Sequence, residues 1–273
     1  MKFKTVFILF NGIILIFFIL ILLFPRLVLP PGLALNFWRS LWPIALVLFL
    51  ILAGMDVFFI TNYRLYALLE REDWPALAGY LETQVMEKGR YFSLQVRLLA
   101  NAYLLLSDPA SATALENRLS LVRPKLLEEH ALVFGLARIL AKDYQGASRF
   151  LEARLAAAGL HKKRPAPWLS FYHGFALFLT GNHEKAAEIF PELVRSSGDP
   201  LVAGLAAWFL AEKMGKTFPE GKFAEAVDEG RKRAREQIPD RARWEKELAK
   251  AQSEVHAVMV MGYLRDTADW LYI

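Results

Sequence analysis

The sequence contains no cysteine among its 273 residues, which excludes a disulfide framework and thiolate chemistry. Signatures of the Walker, G-x-G-x-x-G and G-x-S-x-G types are also missing. The five histidines are scattered, and none has another His, Asp or Glu at a convincing metal-ligand spacing. We therefore expect no enzyme activity, no catalytic residue, no cofactor and no metal site.

Charge is nearly absent from two stretches near the start of the chain. Residues 5–24 hold no charged side chain, and residues 41–60 hold one, Asp56. A helix of 20 residues spans a hydrocarbon core of about 30 Å, so each stretch predicts a transmembrane span. Prolines and a glycine in Pro25–Ser40 favour a turn, which predicts a hairpin over residues 1–61. The alternative is a cleavable signal peptide, but the first run exceeds the usual length of about 7–15 apolar residues.

The basic residues around these two spans predict their orientation. Lys2 and Lys4 precede the first span and several Arg and Lys residues follow the second, whereas the link carries Arg26 and Arg39. By the positive-inside rule, both chain ends should be cytoplasmic, in a multi-pass protein of the bacterial inner membrane. Asp56 lies close to the end of its span, where helix packing or snorkelling competes with proton or ion handling as its role.

Behind the spans, three kinds of position recur with steps of 35, 35 and 39 residues. Small or apolar residues begin each set, a second such residue follows twelve positions later, and a helix breaker follows after twelve more. Such a period is typical of stacked helix pairs. The first position is occupied in the four repeats by Leu65, Ala100, Gly135 and Gly174; the second by Leu77, Ala112, Ala147 and Ala186; and the third by Gly89, Pro124, Gly159 and Gly198.

Residues 171–190 carry the strongest version of this pattern. Gly174, Ala186 and Phe190 resemble signature positions of the tetratricopeptide repeat family, and Gly135 with Ala147 matches in the preceding unit. The resemblance implies an all-α fold in which these five residues pack helix against helix. We expect about five helix pairs over residues 62–238, forming a solenoid, and a capping helix with a tail over residues 239–273. A generic helical bundle with accidental spacing is the alternative.

The same resemblance implies a groove lined by the first helix of each pair, which receives peptides or helices from partner proteins. In this chain the groove would be apolar at one end and polar at the other. Its expected lining is Trp168, Phe171, Phe175 and Phe178 in the fourth pair, Leu132, Leu136 and Ile139 in the third, and Leu94, Arg97 and Asn101 in the second. Two alternatives stay open: a long helix over residues 240–264 fills the groove, or the aromatic residues belong to the core.

The function expected from these observations is a membrane-anchored scaffold or adaptor that binds partner proteins at the cytoplasmic face of the inner membrane. The alternative is an integral structural subunit of a secretion, flagellar or envelope-assembly complex. The net charge of +5 is too small to indicate nucleic-acid binding, although it suits a domain near anionic lipid. A basic run, Arg231–Arg235, could contact lipid or an acidic partner, or simply be a solvated helix face.

Overall fold

The computed structural model describes residues 3–28, 30–160 and 166–272, and the described chain is helical without a β-strand. It divides into two compact units, Met1–Tyr80 and Leu81–Ile273. The expected all-α class is thus confirmed. The N-terminal helices are α1 (Phe3–Val28), α2 (Pro31–Glu70) and α3 (Trp74–Glu82), and a π-helical turn, Thr83–Glu87, follows α3.

In the first unit α1 packs against α2, with the rings of Phe7 and Phe59 5.3 Å apart. The expected 16-residue link is mostly helical, because α1 continues to Val28 and α2 begins at Pro31. Proline is compatible with the first position of a helix, where its missing N–H has no intrahelical partner. The expected domain boundary at residue 61 lies within α2, which continues to Glu70.

Among the described residues, one helix is both long and apolar enough to cross a membrane. It comprises 29 residues, Trp42–Glu70, and its most apolar window has no buried residue. Residues 7–21 form a shorter apolar helix within α1. The expectation of two spans is therefore not confirmed, and one candidate span remains.

The second unit contains the remaining helices, most of which pack on their neighbours in the chain. They are α4 (Ser93–Leu105), α5 (Pro109–Val122), α6 (Pro124–Glu129), α7 (Ala131–Leu140), α8 (Tyr144–Leu160), α9 (Pro167–Leu179), α10 (His183–Ser196), α11 (Pro200–Phe209) with a π-helical turn (Leu210–Met214), α12 (Ala224–Gln237), α13 (Arg241–Ala251), α14 (Val255–Met259) and α15 (Met261–Tyr272).

Four of the helix-to-helix turns share one local geometry. The turn residue has a left-handed backbone in each, with φ of 52° at Glu72, 54° at Ser107, 61° at Lys142 and 80° at Gly181. The next residue is Asp or Asn, and its side-chain oxygen accepts the backbone N–H three positions later, which caps the following helix. The capping residues are Asp73, Asp108, Asp143 and Asn182, separated by 35, 35 and 39 residues. The sequence period is therefore also a period of turn geometry.

Small residues lie where helices of one pair approach closely. A Cβ atom added to Gly135 would lie 2.5 Å from Cδ2 of Leu151, and one added to Gly174 would lie 3.1 Å from Cζ of Phe190. Ala147, Ala186 and Phe190 have no exposed surface. Larger side chains at the two glycines would push α7 from α8 and α9 from α10, because interiors are close-packed.

The C-terminal region differs from the expected long helix over residues 240–264. The chain turns after α13 and again at Val260, and α15 packs back against α13. The indole N–H of Trp244 in α13 donates to the carbonyl of Leu264, 3.1 Å away. The break has a packing reason: one straight helix could not bring both of these residues into the same buried layer.

Candidate partner-binding face

The first helices of successive pairs form one face of the second unit. Helix α4 packs against α7, α7 against α9, and α9 against α11. We call this the first-helix face, and it is defined by the side chains of α4, α7, α9 and α11 that do not point into their own helix pairs. All ten residues of the expected groove lie on α4, α7 or α9.

The aromatic residues of α9 do not form an open groove. Phe171 has no exposed surface, and five aromatic rings surround it at centroid distances of 5.5–6.3 Å. Trp168, Phe175 and Phe178 are half-buried, and the Phe178 ring lies 4.9 Å from that of Phe209 in α11. The expected role of Phe171 in partner contact is therefore corrected: its ring belongs to the core that joins α9, α10 and α11.

The other expected groove residues divide between core and surface. Leu136 and Ile139 of α7 are buried, so they too are corrected from groove lining to core, and Leu132 is half-buried. On α4, Leu94 is 45% exposed and Arg97 is also exposed. The Oδ1 atom of the half-buried Asn101 has no hydrogen-bond partner among the described residues. Open, mixed apolar and polar surface thus remains at the α4 end of the face.

The chain's own C-terminal segment covers much of this face. Helix α14 contacts α4 and α7, and α15 packs on α11. The His256 ring lies 4.7 Å from the Trp168 ring, and the Tyr172 hydroxyl donates to the His256 carbonyl. The Tyr263 ring lies 6.1 Å from Phe175. The sequence left open the alternative that a C-terminal helix fills the groove. In the structure α14 and α15 take this position instead of α13.

Burial sets the titration behaviour of the ionisable groups on this face. Burial lowers the pKa of His256 because it disfavours the charged ring, although the nearby Glu254 and Asp199 oppose this effect. Burial also lowers the pKa of His130, whose Nε2 atom lies 3.1 Å from the hydroxyl of Ser93. The pKa of Tyr172 is raised by the same cause. At neutral pH these groups are uncharged, which suits them to structural contacts.

One buried carboxylate of the second unit has a cationic partner. Glu116 of α5 is buried. Its carboxylate accepts from the Arg138 guanidinium at 2.7 Å, and Arg138 also contacts Asp143 at 3.3 Å. Because a buried charge needs a partner, Arg138 of the next helix pair compensates the charge of Glu116. Sequence spacing alone contained no signal for this pairing.

The described residues outside this face offer little chemistry. They contain no group of three His, Asp or Glu side chains that could hold a metal ion. A cleft of about 940 Å³ lies along α8, α9 and α10, and the buried His173 lines it together with charged side chains of both signs. No nucleophile with an adjacent base emerges from this arrangement.

The basic run Arg231–Arg235 contributes to the fold. Arg231 donates to the carbonyl of Trp270 at 2.9 Å and Arg235 to that of Leu271 at 2.8 Å, both in α15. Arg233 donates to the Val194 carbonyl at 3.3 Å. These guanidinium groups satisfy carbonyls at helix ends, so the run binds the C-terminal segment to α12 and is not a free cationic surface.

Comparison with known proteins gives a family and a relative. A family described as "Uncharacterised Treponema protein" matches residues 111–273. An uncharacterised protein of Treponema pallidum (strain Nichols) is 31% identical over 217 residues, which are 78% of this chain and 66% of that protein. The chain thus spans slightly less than two thirds of this relative's length. No solved structure matches the chain. These descriptions do not mention tetratricopeptide repeats, so that resemblance stays a prediction. The family match extends from α5 to the end of the chain, and the protein belongs to this Treponema family.

Proposed function

We propose that the protein is a membrane-anchored, non-enzymatic scaffold whose tetratricopeptide-like helix pairs bind partner proteins at the cytoplasmic face of a bacterial inner membrane. The observation that carries this proposal is the fourfold recurrence of one turn, left-handed residue followed by a capping Asp or Asn, at steps of 35, 35 and 39 residues. A solenoid of stacked pairs accounts for this recurrence, because each repeat then makes equivalent contacts with its neighbours.

The apolar surface of the first unit supports the membrane anchor. Trp42, Val57 and Ile60 are among many large apolar side chains of α2 with more than half of their surface exposed. Exposure of a long apolar helix to water is costly, whereas a lipid environment removes that cost. In the proposed arrangement α1 and α2 form a hairpin that keeps both chain ends in the cytoplasm.

The mode of partner binding follows from what already lies on the first-helix face. Because α14 and α15 of this chain rest there, the face has a shape and polarity that accept helices. Leu94 and Arg97 of α4 add an exposed apolar and an exposed cationic group to this face, on the same helix as the half-buried Asn101. A helix with an apolar stripe beside carboxylates would complement this surface, and such grooves are read by residues at helical spacing.

The corresponding experiment purifies the full chain in mild detergent and measures binding of a labelled helical peptide that carries a leucine stripe flanked by glutamates. Leu94→Glu with Arg97→Glu should weaken binding at least tenfold, because it removes an apolar contact and reverses a charge. Leu106→Glu is the control, since Leu106 is 38% exposed at the other end of α4. Equal binding by both variants would contradict the proposed face.

Co-purification separates the scaffold from its alternative, an integral structural subunit of a membrane complex. The covering of much of the first-helix face by α14 and α15 favours this alternative, because it leaves less surface for transient ligands. A subunit should co-purify in a fixed ratio that the peptide cannot change. A scaffold should release its partner when the peptide is added.

A topology reporter tests the anchor independently. A reporter that is active only outside the cytoplasm should stay silent when fused after Ile273. Robust activity would overturn the orientation, because one of the two proposed spans would then have to be a signal sequence or fail to insert.

A further inference from the structure

The second unit has a second surface that the scaffold proposal does not use. Phe92 at the start of α4 is 63% exposed, and Leu121 and Val122 at the end of α5 are 83% and 43% exposed. These three side chains lie at the same end of the α4–α5 pair, because the Arg118 guanidinium donates to the Tyr91 hydroxyl at 3.0 Å. Single exposed apolar residues are ordinary, whereas several at one end of a helix pair indicate an interaction site.

Five basic residues lie within four positions of these apolar residues in the sequence. All five basic side chains are exposed, and none of them forms an ion pair with a carboxylate of the described residues. They are Lys88, Arg90, Arg118, Arg123 and Lys125. We call the three apolar residues and these five cations the basic–apolar end.

The basic–apolar end differs from the basic run Arg231–Arg235. The arginines of that run donate to carbonyls of α10 and α15, whereas the cations of the basic–apolar end are bound to neutral groups or remain in water. Arg90 donates to the amide oxygen of Gln84 and Arg118 to a tyrosine hydroxyl, so the partners of both guanidinium groups are neutral. This end of the unit therefore carries five cations without an ion-pair partner among the described residues, and the nearby Glu129 carboxylate accepts a hydrogen bond from the Ser93 hydroxyl at 2.7 Å.

We propose that the basic–apolar end docks on an anionic lipid surface, a step that rests on the membrane anchor proposed above. Phe92, Leu121 and Val122 would lie at the level of the headgroups, and the neighbouring cations would contact lipid phosphates. Apolar side chains beside Lys and Arg are the combination that interfacial segments use to bind anionic membranes. Continuity of the chain supports lipid over an acidic protein, because only residues 71–87 separate α2 from Lys88.

The absence of cysteine allows a direct test with single-cysteine variants of the full chain. Ser120→Cys, labelled with an environment-sensitive dye, reports on the basic–apolar end and leaves its apolar and cationic residues intact. Ala110→Cys is the matched control, because it is an exposed site at the opposite end of α5 and about 15 Å away along the helix axis. Both variants are reconstituted in nanodiscs of phosphatidylcholine alone and in nanodiscs containing phosphatidylglycerol.

In discs with phosphatidylglycerol, the dye at residue 120 should shift to the blue and be quenched by spin-labelled lipid, while the dye at residue 110 should not change. Arg123→Gln with Lys125→Gln should lower the ratio of docked to free protein about 25-fold, or about fivefold for each cation. High salt should also lower the ratio of docked to free protein, because the Debye length shrinks to about 3 Å at 1 M. The charge variant should melt at the wild-type temperature, since neither side chain has an ion-pair partner.

Three outcomes would overturn the proposal. Equal dye responses at residues 110 and 120, or a response at residue 120 that does not depend on phosphatidylglycerol, would exclude docking on anionic lipid. A response that depends on protein concentration would assign this end to a second copy of the chain. Failure of the anchor is a separate result: the chain would then not incorporate into discs, and its co-sedimentation with vesicles containing phosphatidylglycerol would still decide whether the basic–apolar end binds them.

Discussion

Substitution of Phe171 by alanine decides whether the aromatic residues of α9 are core or binding surface. The ring has no exposed surface and lies among the rings of Trp168, Tyr172, Phe175, Phe190 and Phe209. Removal of a fully buried Phe side chain costs about 3–5 kcal/mol, because the lost contacts leave a cavity that neighbours fill only in part. For a unit of this size, we expect a fall in melting temperature of roughly 6–20 °C.

The measurement is a thermal melt of the full chain in detergent, followed by circular dichroism. Phe92→Ala is the control, since Phe92 is 63% exposed and its loss should change the free energy of unfolding by no more than about 0.5 kcal/mol. If Phe171→Ala melts at the wild-type temperature and instead releases a bound partner, the core assignment is wrong. Phe171 would then have to be accessible, and α14 and α15 would have to leave the first-helix face in solution.

Three further predictions concern packing, capping and pH. Gly230→Ala should destabilise the second unit by about 1–3 kcal/mol, because the new Cβ would lie 2.5 Å from the Cβ of Ala207. Gly262→Ala is the control and should be neutral or stabilising, because no atom of the described residues, other than its chain neighbours and its own helix backbone, lies within 4 Å of its Cβ position. Thermal melts of the two variants compare these effects. Asn182→Ala should cost about 1 kcal/mol by removing the cap of α10, as a chemical denaturation curve would reveal. Burial holds the pKa of His256 below its ordinary value of 6.5, so the unfolded chain binds more protons and stability should fall as the pH drops through about 6.5. His256→Gln should reduce this dependence in melts at neutral and mildly acidic pH, and an unchanged pH dependence would contradict the assignment.

The turn recurrence also explains why a weak sequence pattern was informative. The left-handed residue and the capping Asp or Asn are local requirements, so they persist even where other repeat positions change. In the first pair the large residues Leu65 and Leu77 occupy positions that hold small residues in the later pairs. Glu72 and Asp73 nevertheless form the same turn as Gly181 and Asn182. A search for this dipeptide at a fixed period would have located the pairs more directly than small residues did.

The sequence also left the α14–α15 region undefined. Residues 240–264 keep apolar positions at helical spacing, which predicts one helix, but Gln252, Ser253 and Glu254 separate α13 from α14. Periodicity identifies an apolar side without specifying which surface it covers. The interruption becomes understandable only from the contact between Trp244 and Leu264, and from the burial of Leu271 against the layer that contains Gly204.

The sequence by itself determined the helical class, the period of the helix pairs and the apolar first region, because helix periodicity, capping and hydropathy are short-range properties. The tertiary structure decided which apolar residues are accessible: Phe171 became core, and Leu121 remained on the surface. It also decided which charged groups have partners. The Arg231 guanidinium donates to a carbonyl 39 residues away in the chain, and Glu116 forms an ion pair with Arg138 of the next helix pair. Burial and charge compensation depend on contacts with segments that are distant in the chain. A local sequence pattern does not specify those contacts.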